Sequence, residues 1–181
     1  MKARDFDPTQ LDVEAFAKAC ARIGGSWPLT HLERLASSTV APADSDLVAW
    51  HARGEHRVVK GGNGQVWVHI EATTQVMLEC QRCLAPVAAG IEAKRSFLFV
   101  HGENTAAELD SDSEDDVLAL TRSLDLRELI EDELLLALPL VPRHDTCPQP
   151  LMAAEPEALP EEDPPHPFAA LAALKRGSLP N

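Results

Sequence analysis

The sequence predicts an α+β domain, an antiparallel β-sheet packed with a few helices. Three observations carry this. Val66, Val68, Ile70, Ala72, Val76, Leu78 and Cys80 share one parity of a continuous run that only Thr74 interrupts. Trp67, His69, Glu71, Thr73, Gln75 and Glu79 fill the other parity, with Met77 the exception. Such period-2 alternation marks a half-buried antiparallel strand. A second alternation follows at once through Val87, Ala89, Ile91, Ala93, Phe97 and Phe99, broken by Arg95, so the two runs make a long hairpin. Apolar residues at helical spacing flank this hairpin, from Leu11 to Ile23 and from Leu126 to Leu138.

In chain order, the first helix is expected over Leu11 to Ile23, with Gly24-Gly25 as its stop and Cys20 as a small buried thiol on its apolar stripe. A short helix to about Ala36 follows, opened by Pro28 at its first position or by a Thr30/Glu33 capping box. Leu47 to Arg53 and His56 to Lys60 read as strands separated by a turn at Gly54. Gly61-Gly62-Asn63-Gly64 is a turn and no phosphate loop, because it lacks the following Lys-Ser/Thr and leads into a strand. After the hairpin, His101 to Asp116 carries seven acids and no Lys or Arg, and reads as a solvated, disordered acidic loop. It lacks the central glycine and final glutamate of a calcium loop. Asp125 is the expected N-cap of the second long helix, with Glu128 at N3 and Pro139 closing it. Its acids, Glu128, Glu131, Asp132 and Glu133, read as a solvated face rather than as general acids or bases.

The whole divides into an α+β domain over residues 1–147, a Pro/Glu/Ala-rich linker over 148–165 that buries too little to order itself, and a short docking helix over 166–181. Pro167 opens that helix; Phe168, Leu171 and Leu174 share a face, and Lys175 complements its C-terminal dipole. A helix this short must dock on something to be stable.

Bulk composition bounds the function. The net charge of −13 removes any general attraction to nucleic acid or to an anionic membrane, so RNA contact requires a local basic patch. Aromatics make up only 4% of the chain, with no tyrosine, which leaves Leu, Val, Ala and Ile to build the core. The polar start, Met1 to Asp5, is no signal peptide, and no run approaches the roughly 20 apolar residues of a membrane helix. A cytoplasmic protein with reduced thiols and no membrane partner is expected.

Two half-sites carry the available metal chemistry. Cys80 and Cys83 stand two residues apart where the hairpin turns, and His144 and Cys147 lie far downstream. Together they have the composition of a Cys3His structural zinc site. Two other readings stay open: Cys80 packed in the core with Cys83 and Cys147 incidental, and a redox pair. The last is disfavoured because the pair ends a strand, whereas a helix N-terminus is what lowers a thiol pKa. No nucleophile elbow or dinucleotide loop is present. Arg53, His56, Arg57 and Lys60 on one hairpin, with Arg82 between the cysteines and Lys94 and Arg95 beyond, form a candidate basic patch without interleaved aromatics.

Three blocks, Leu78-Glu79-Cys80-Gln81-Arg82-Cys83, Glu131 through Asp145, and Pro167 through Lys175, resemble the YceD family of large ribosomal RNA subunit accumulation proteins. The resemblance implies a cytosolic bacterial factor for synthesis, processing or stability of the 23S rRNA. Some members carry a richer cysteine set after the Leu-Pro-Leu block that resembles a metal site; here that region holds His144 and Cys147. The expected role is that of a ribosome-biogenesis factor, not an enzyme, binding precursor 23S rRNA or a basic ribosomal protein. At −13 the basic protein is electrostatically the easier partner. Contact with RNA through Arg53, Arg57, Lys60 and Arg82, or partner docking through Phe168, Leu171, Leu174 and Lys175, are the candidate surfaces. The alternatives are a metal-dependent rRNA-processing nuclease and a zinc-stabilised adaptor without an RNA role.

Overall fold

The computed structural model describes residues 6–58, 64–113 and 115–148. Its centre is one five-stranded sheet in sequence order, β1 (Arg22–Pro28), β2 (Leu47–Arg57), β3 (Gln65–Glu79), β4 (Pro86–Val100) and β5 (Asp116–Ala119). The first four strands pair antiparallel and β5 pairs parallel to β4. Four α-helices accompany them: α1 (Val13–Lys18), α2 (Glu33–Ser37), α3 (Glu103–Asp112) and α4 (Leu126–Leu136). The α+β class and the long hairpin are as the alternation predicts.

The inward parity of β3 builds the core. Val66, Val68, Ile70, Ala72, Val76 and Leu78 are all buried there. Helix α1 packs on β2 and β3, α4 on β3 and β4, and α2 against α4. From these helices Phe16, Leu35, Leu126, Ile130 and Leu134 lose all solvent contact, each burial contributing about 1.5–3 kcal/mol. Thr74 keeps its place in this apolar row because its hydroxyl donates to the Leu47 carbonyl at 3.0 Å. Arg95 holds an inward position on β4 by donating to Glu133 of α4 at 2.9 Å.

Several local expectations are corrected. The first helix is only one and a half turns long. Asp12 caps it by accepting from the Ala15 amide at 3.0 Å, and Cys20 ends the segment with φ 46°. The apolar periodicity continues past this point, but Ile23 belongs to β1, and Cys20 is exposed, not buried. Gly24-Gly25 is part of an edge strand. A Cβ added at Gly25 would stand 3.7–3.8 Å from the Trp50 ring, which stacks on Trp27 at 4.3 Å between centroids.

Gly54 is no turn. Strand β2 runs straight through it, and the missing side chain lets the α1 backbone approach: a Cβ there would stand 2.6 Å from the Phe16 carbonyl oxygen. The short helix divides into a 3-10 turn, Leu29–His31, and α2. Its cap is not local. Glu131 of α4 accepts from the amides of Arg34 and Leu35 at 2.7 and 3.0 Å, supplying from 97 residues away what a capping box supplies from three.

The acidic stretch is helix α3 followed by β5, not a loop. Parallel pairing of β4 and β5 demands a crossover, and α3 provides it. Nor is the acidic face of α4 wholly solvated. Glu131 and Glu133 are buried, against Arg34 and Arg95 respectively.

Candidate metal centre

Strand β3 ends at Glu79 and the chain reverses through Cys80–Ala85 before β4. The reversal is a tight backbone knot. The Leu84 amide donates to the Cys80 carbonyl at 2.9 Å, the Cys80 amide donates to the Ala85 carbonyl at 3.0 Å, and Leu84 takes φ 60°. A second segment arrives from the end of α4. Past Pro139 it follows bends without helix or strand, and the Pro142 carbonyl accepts the Gln81 amide at 2.9 Å. With the contact of His144 to the Pro86 carbonyl at 3.1 Å, that bond sets His144 and Cys147 beside the hairpin tip.

The two half-sites therefore meet. One donor atom from each of Cys80, Cys83, His144 and Cys147 lies within 4.8 Å of every other. Cys80 is fully buried and the other three are half-buried. Cys80 is nonetheless apart from the main apolar cluster, so its burial belongs to this site and not to core packing.

The surroundings suit a metal. Burial opposes ionisation of Cys80, but the amides of Arg82, Cys83 and His144 point at its sulfur and hold the thiol at about 5. Turn amides achieve here what the sequence reading reserved for a helix N-terminus. Cys147 is pushed up, by burial first and then by the neighbouring Cys83 and Cys80 sulfurs; a cation among them is what removes that penalty. His144 is oriented by its far nitrogen. Nε2 lies 3.1 Å from the Pro86 carbonyl, which can only accept, so Nε2 carries the proton. The lone pair is left on Nδ1, 3.4 Å from the Cys83 sulfur. An outer hydrogen bond of this kind is how ligating histidines are usually fixed.

Three thiolates and one imidazole fit zinc. A zinc ion held by these four would be a cross-link between the β3–β4 tip and the segment after α4, with every coordination position taken by the protein.

The other sequence-derived candidates fall in different places. Arg53 and Arg57 both lie on the outward parity of β2, opposite His69 and Gln65. Arg57 lies over the Trp67 ring at 4.6 Å, and both arginines reach Glu55. Arg82 is exposed in the cysteine turn, about 35 Å along β3 from the Arg53 row at 3.3 Å per residue. The structure does not bring it to the same patch. Lys60, Phe168, Leu171, Leu174 and Lys175 lie outside the described residues, as do most of the linker and the docking helix. Arg22, which the helix expectation concealed, is directly across from Arg53.

A family model described as Large ribosomal RNA subunit accumulation protein YceD matches residues 68–175. That span contains all four metal-site residues. The chain is also 34% identical over 158 residues to the Large ribosomal RNA subunit accumulation protein YceD of Haemophilus influenzae, covering 84% of this chain and 86% of that one. No solved structure matches.

Proposed function

We propose, from the premise that the chain belongs to the YceD family of large ribosomal RNA subunit accumulation proteins, that it sustains 23S rRNA in the cytoplasm as a non-enzymatic binding factor. Precursor 23S rRNA is its partner, and a structural zinc at Cys80, Cys83, His144 and Cys147 stiffens the fold. The observation that carries this is the family match itself, which runs from β3 through β5 and takes in all four candidate ligands.

Binding without catalysis is supported by how the acids are used. A nuclease needs carboxylates free to converge on magnesium. Glu131 caps α2 and pairs with Arg34, and Glu133 pairs with Arg95. A metal held by all four donors, Cys80, Cys83, His144 and Cys147, would have no tetrahedral position left for substrate. A second reading, capture of a basic ribosomal protein, is favoured by the acids of α3 and the absence of basic residues there.

The test is genetic and biochemical. Cells lacking the chain are expected to have less 23S rRNA relative to 16S rRNA, with wild-type chain restoring the ratio. Purified protein with Mg2+ or Mn2+ is expected to leave precursor 23S rRNA intact. An unchanged ratio in the deletion sinks the accumulation role, and specific cleavage sinks the non-enzymatic one.

A further inference from the structure

The outward face of β1 to β4 carries an arrangement that folding alone does not favour. Arg22 on β1 is the direct cross-strand partner of Arg53 on β2, and like charges directly opposite one another destabilise a sheet. Among the described residues Arg22 makes no ion pair. The same row continues through His69 to Ser96, and the adjoining row runs His51, Glu71, Lys94. These side chains line a hollow of about 540 Å³.

The acids present offset only part of the charge. Glu55 is shared among Arg53, Arg57 and His69, and Glu71 pairs with Lys94 alone. Arg22 is left over, and Arg53 keeps only a third share of one carboxylate. A cationic hollow on a chain of net charge −13 is a local exception that calls for an anionic occupant.

We infer that this face seats the sugar–phosphate backbone of RNA, with Arg22, Arg53 and Lys94 as the phosphate contacts. The inference deepens the functional reading above and rests on it. A polyanion whose phosphates are spaced along a chain suits cations spaced along neighbouring rows of a sheet. Backbone contact, not base reading, follows from the aromatics. Trp67, next along this face, is 5% exposed beneath Arg57 and has no open ring to stack on. Ser96 and His51 add hydrogen bonds to phosphate or ribose, which fix position without specifying sequence, while His69 is held by Ser96 and Glu55 on its two ring nitrogens. Arg82, at the far tip, takes no part.

The test is fluorescence anisotropy on the full-length, zinc-loaded chain with a labelled, in-vitro-transcribed segment of 23S rRNA precursor across a salt series. The Arg22→Ala/Arg53→Ala/Lys94→Ala variant is expected to bind about tenfold more weakly or worse. Its slope of log affinity against log salt should be shallower by about 2, from three lost phosphate contacts at roughly 0.7 each. Arg122→Ala/Arg127→Ala, away from the hollow, should leave both values unchanged. Arg22→Gln/Lys94→Gln keeps the Arg53–Glu55 pair and serves if the triple variant misfolds; it should show about two-thirds of the slope change. Equal binding by wild type and hollow variants overturns the inference. So does tighter binding of an acidic peptide of the probe's charge, which would assign the hollow to a protein segment. To separate the two claims, the same variants are returned to cells lacking the chain. If wild type and hollow variants both restore 23S rRNA, the hollow fails and the family role stands. If wild type restores nothing, the family role itself fails.

Discussion

Cys80 owes its character to three amides and a ring. Its sulfur is buried, which by itself would keep the thiol protonated, yet the turn aims the Arg82 and Cys83 amides at it, and the loop after α4 adds the His144 amide. In the proposed zinc site, removing that sulfur removes one of four ligands. Cys80→Ser is expected to lower zinc from one per chain to well below that by plasma mass spectrometry. It should also lower the melting temperature by about 10 °C, taking a loss of about 3–4 kcal/mol at 2–4 °C per kcal/mol for a domain of this size. Cys20→Ser, at an exposed thiol outside the cluster, should change neither. Retention of full zinc by Cys80→Ser would remove Cys80 from the ligand set.

Glu55 is the residue through which acid acts on the outward face. Hydrogen bonds from Arg57 first and His69 next hold its carboxyl at about 2, against 4.5 for an ordinary glutamate. A pKa depressed by folding stabilises the native state fully above about 4.5, and that contribution disappears as pH falls through about 2. Wild type should therefore melt above Glu55→Gln at neutral pH, and the two melting temperatures should converge as pH falls from about 4.5 toward 2. A gap that persists unchanged to pH 2 would mean the carboxylate charge is not what stabilises this row.

At the scale of elements, the fold turns on how closely α1 approaches β2. The approach is possible only because Gly54 has no side chain: a methyl there would meet Phe16 and Ala17 backbone atoms at 2.6–2.8 Å, and backbone cannot swing aside as a side chain can. Gly54→Ala is expected to cost about 2–3 kcal/mol in urea unfolding, through overpacking. Gly90, on β4, has nothing within 4 Å of an added Cβ. Gly90→Ala should be neutral or gain about 0.5–1 kcal/mol by lowering the entropy of the unfolded chain. Equal effects at the two positions would contradict the close packing of α1.

The same elements mark where the sequence is readable. The hairpin was, because the inward face of β3 is buried along its whole length and parity records that directly. Helix α4 was, through Asp125, which accepts from the Arg127 and Glu128 amides at 2.9 and 3.2 Å. Both half-sites of the metal centre were visible as spacing. Their meeting depends on the Gln81–Pro142 bond across the fold, and no local pattern encodes it. What misled was local likeness with distant cause. Ile23 continues a helical stripe but pairs with Ala52 in a sheet. Glu131 and Glu133 look like solvated acids until α2 and β4 supply their partners. Acid-rich α3 forms because β5 must return parallel to β4.

As a whole molecule, the chain combines a strongly acidic balance with one cationic hollow on an otherwise ordinary sheet, and with a four-ligand centre at the far end of the long hairpin. The two sites stand at different positions along β3, so the proposed roles, a metal cross-link at one and RNA contact at the other, can be tested separately. The family to which the chain belongs is named for the accumulation of large-subunit rRNA, and contact with that RNA is the central claim. Ultraviolet crosslinking in living cells, with sequencing of the bound RNA and mass spectrometry of the crosslinked peptides, tests it most directly. The expected result is precursor 23S rRNA joined to peptides from β1, β2 and β4. Crosslinks to ribosomal protein alone, or RNA joined only to peptides outside the sheet, would contradict it.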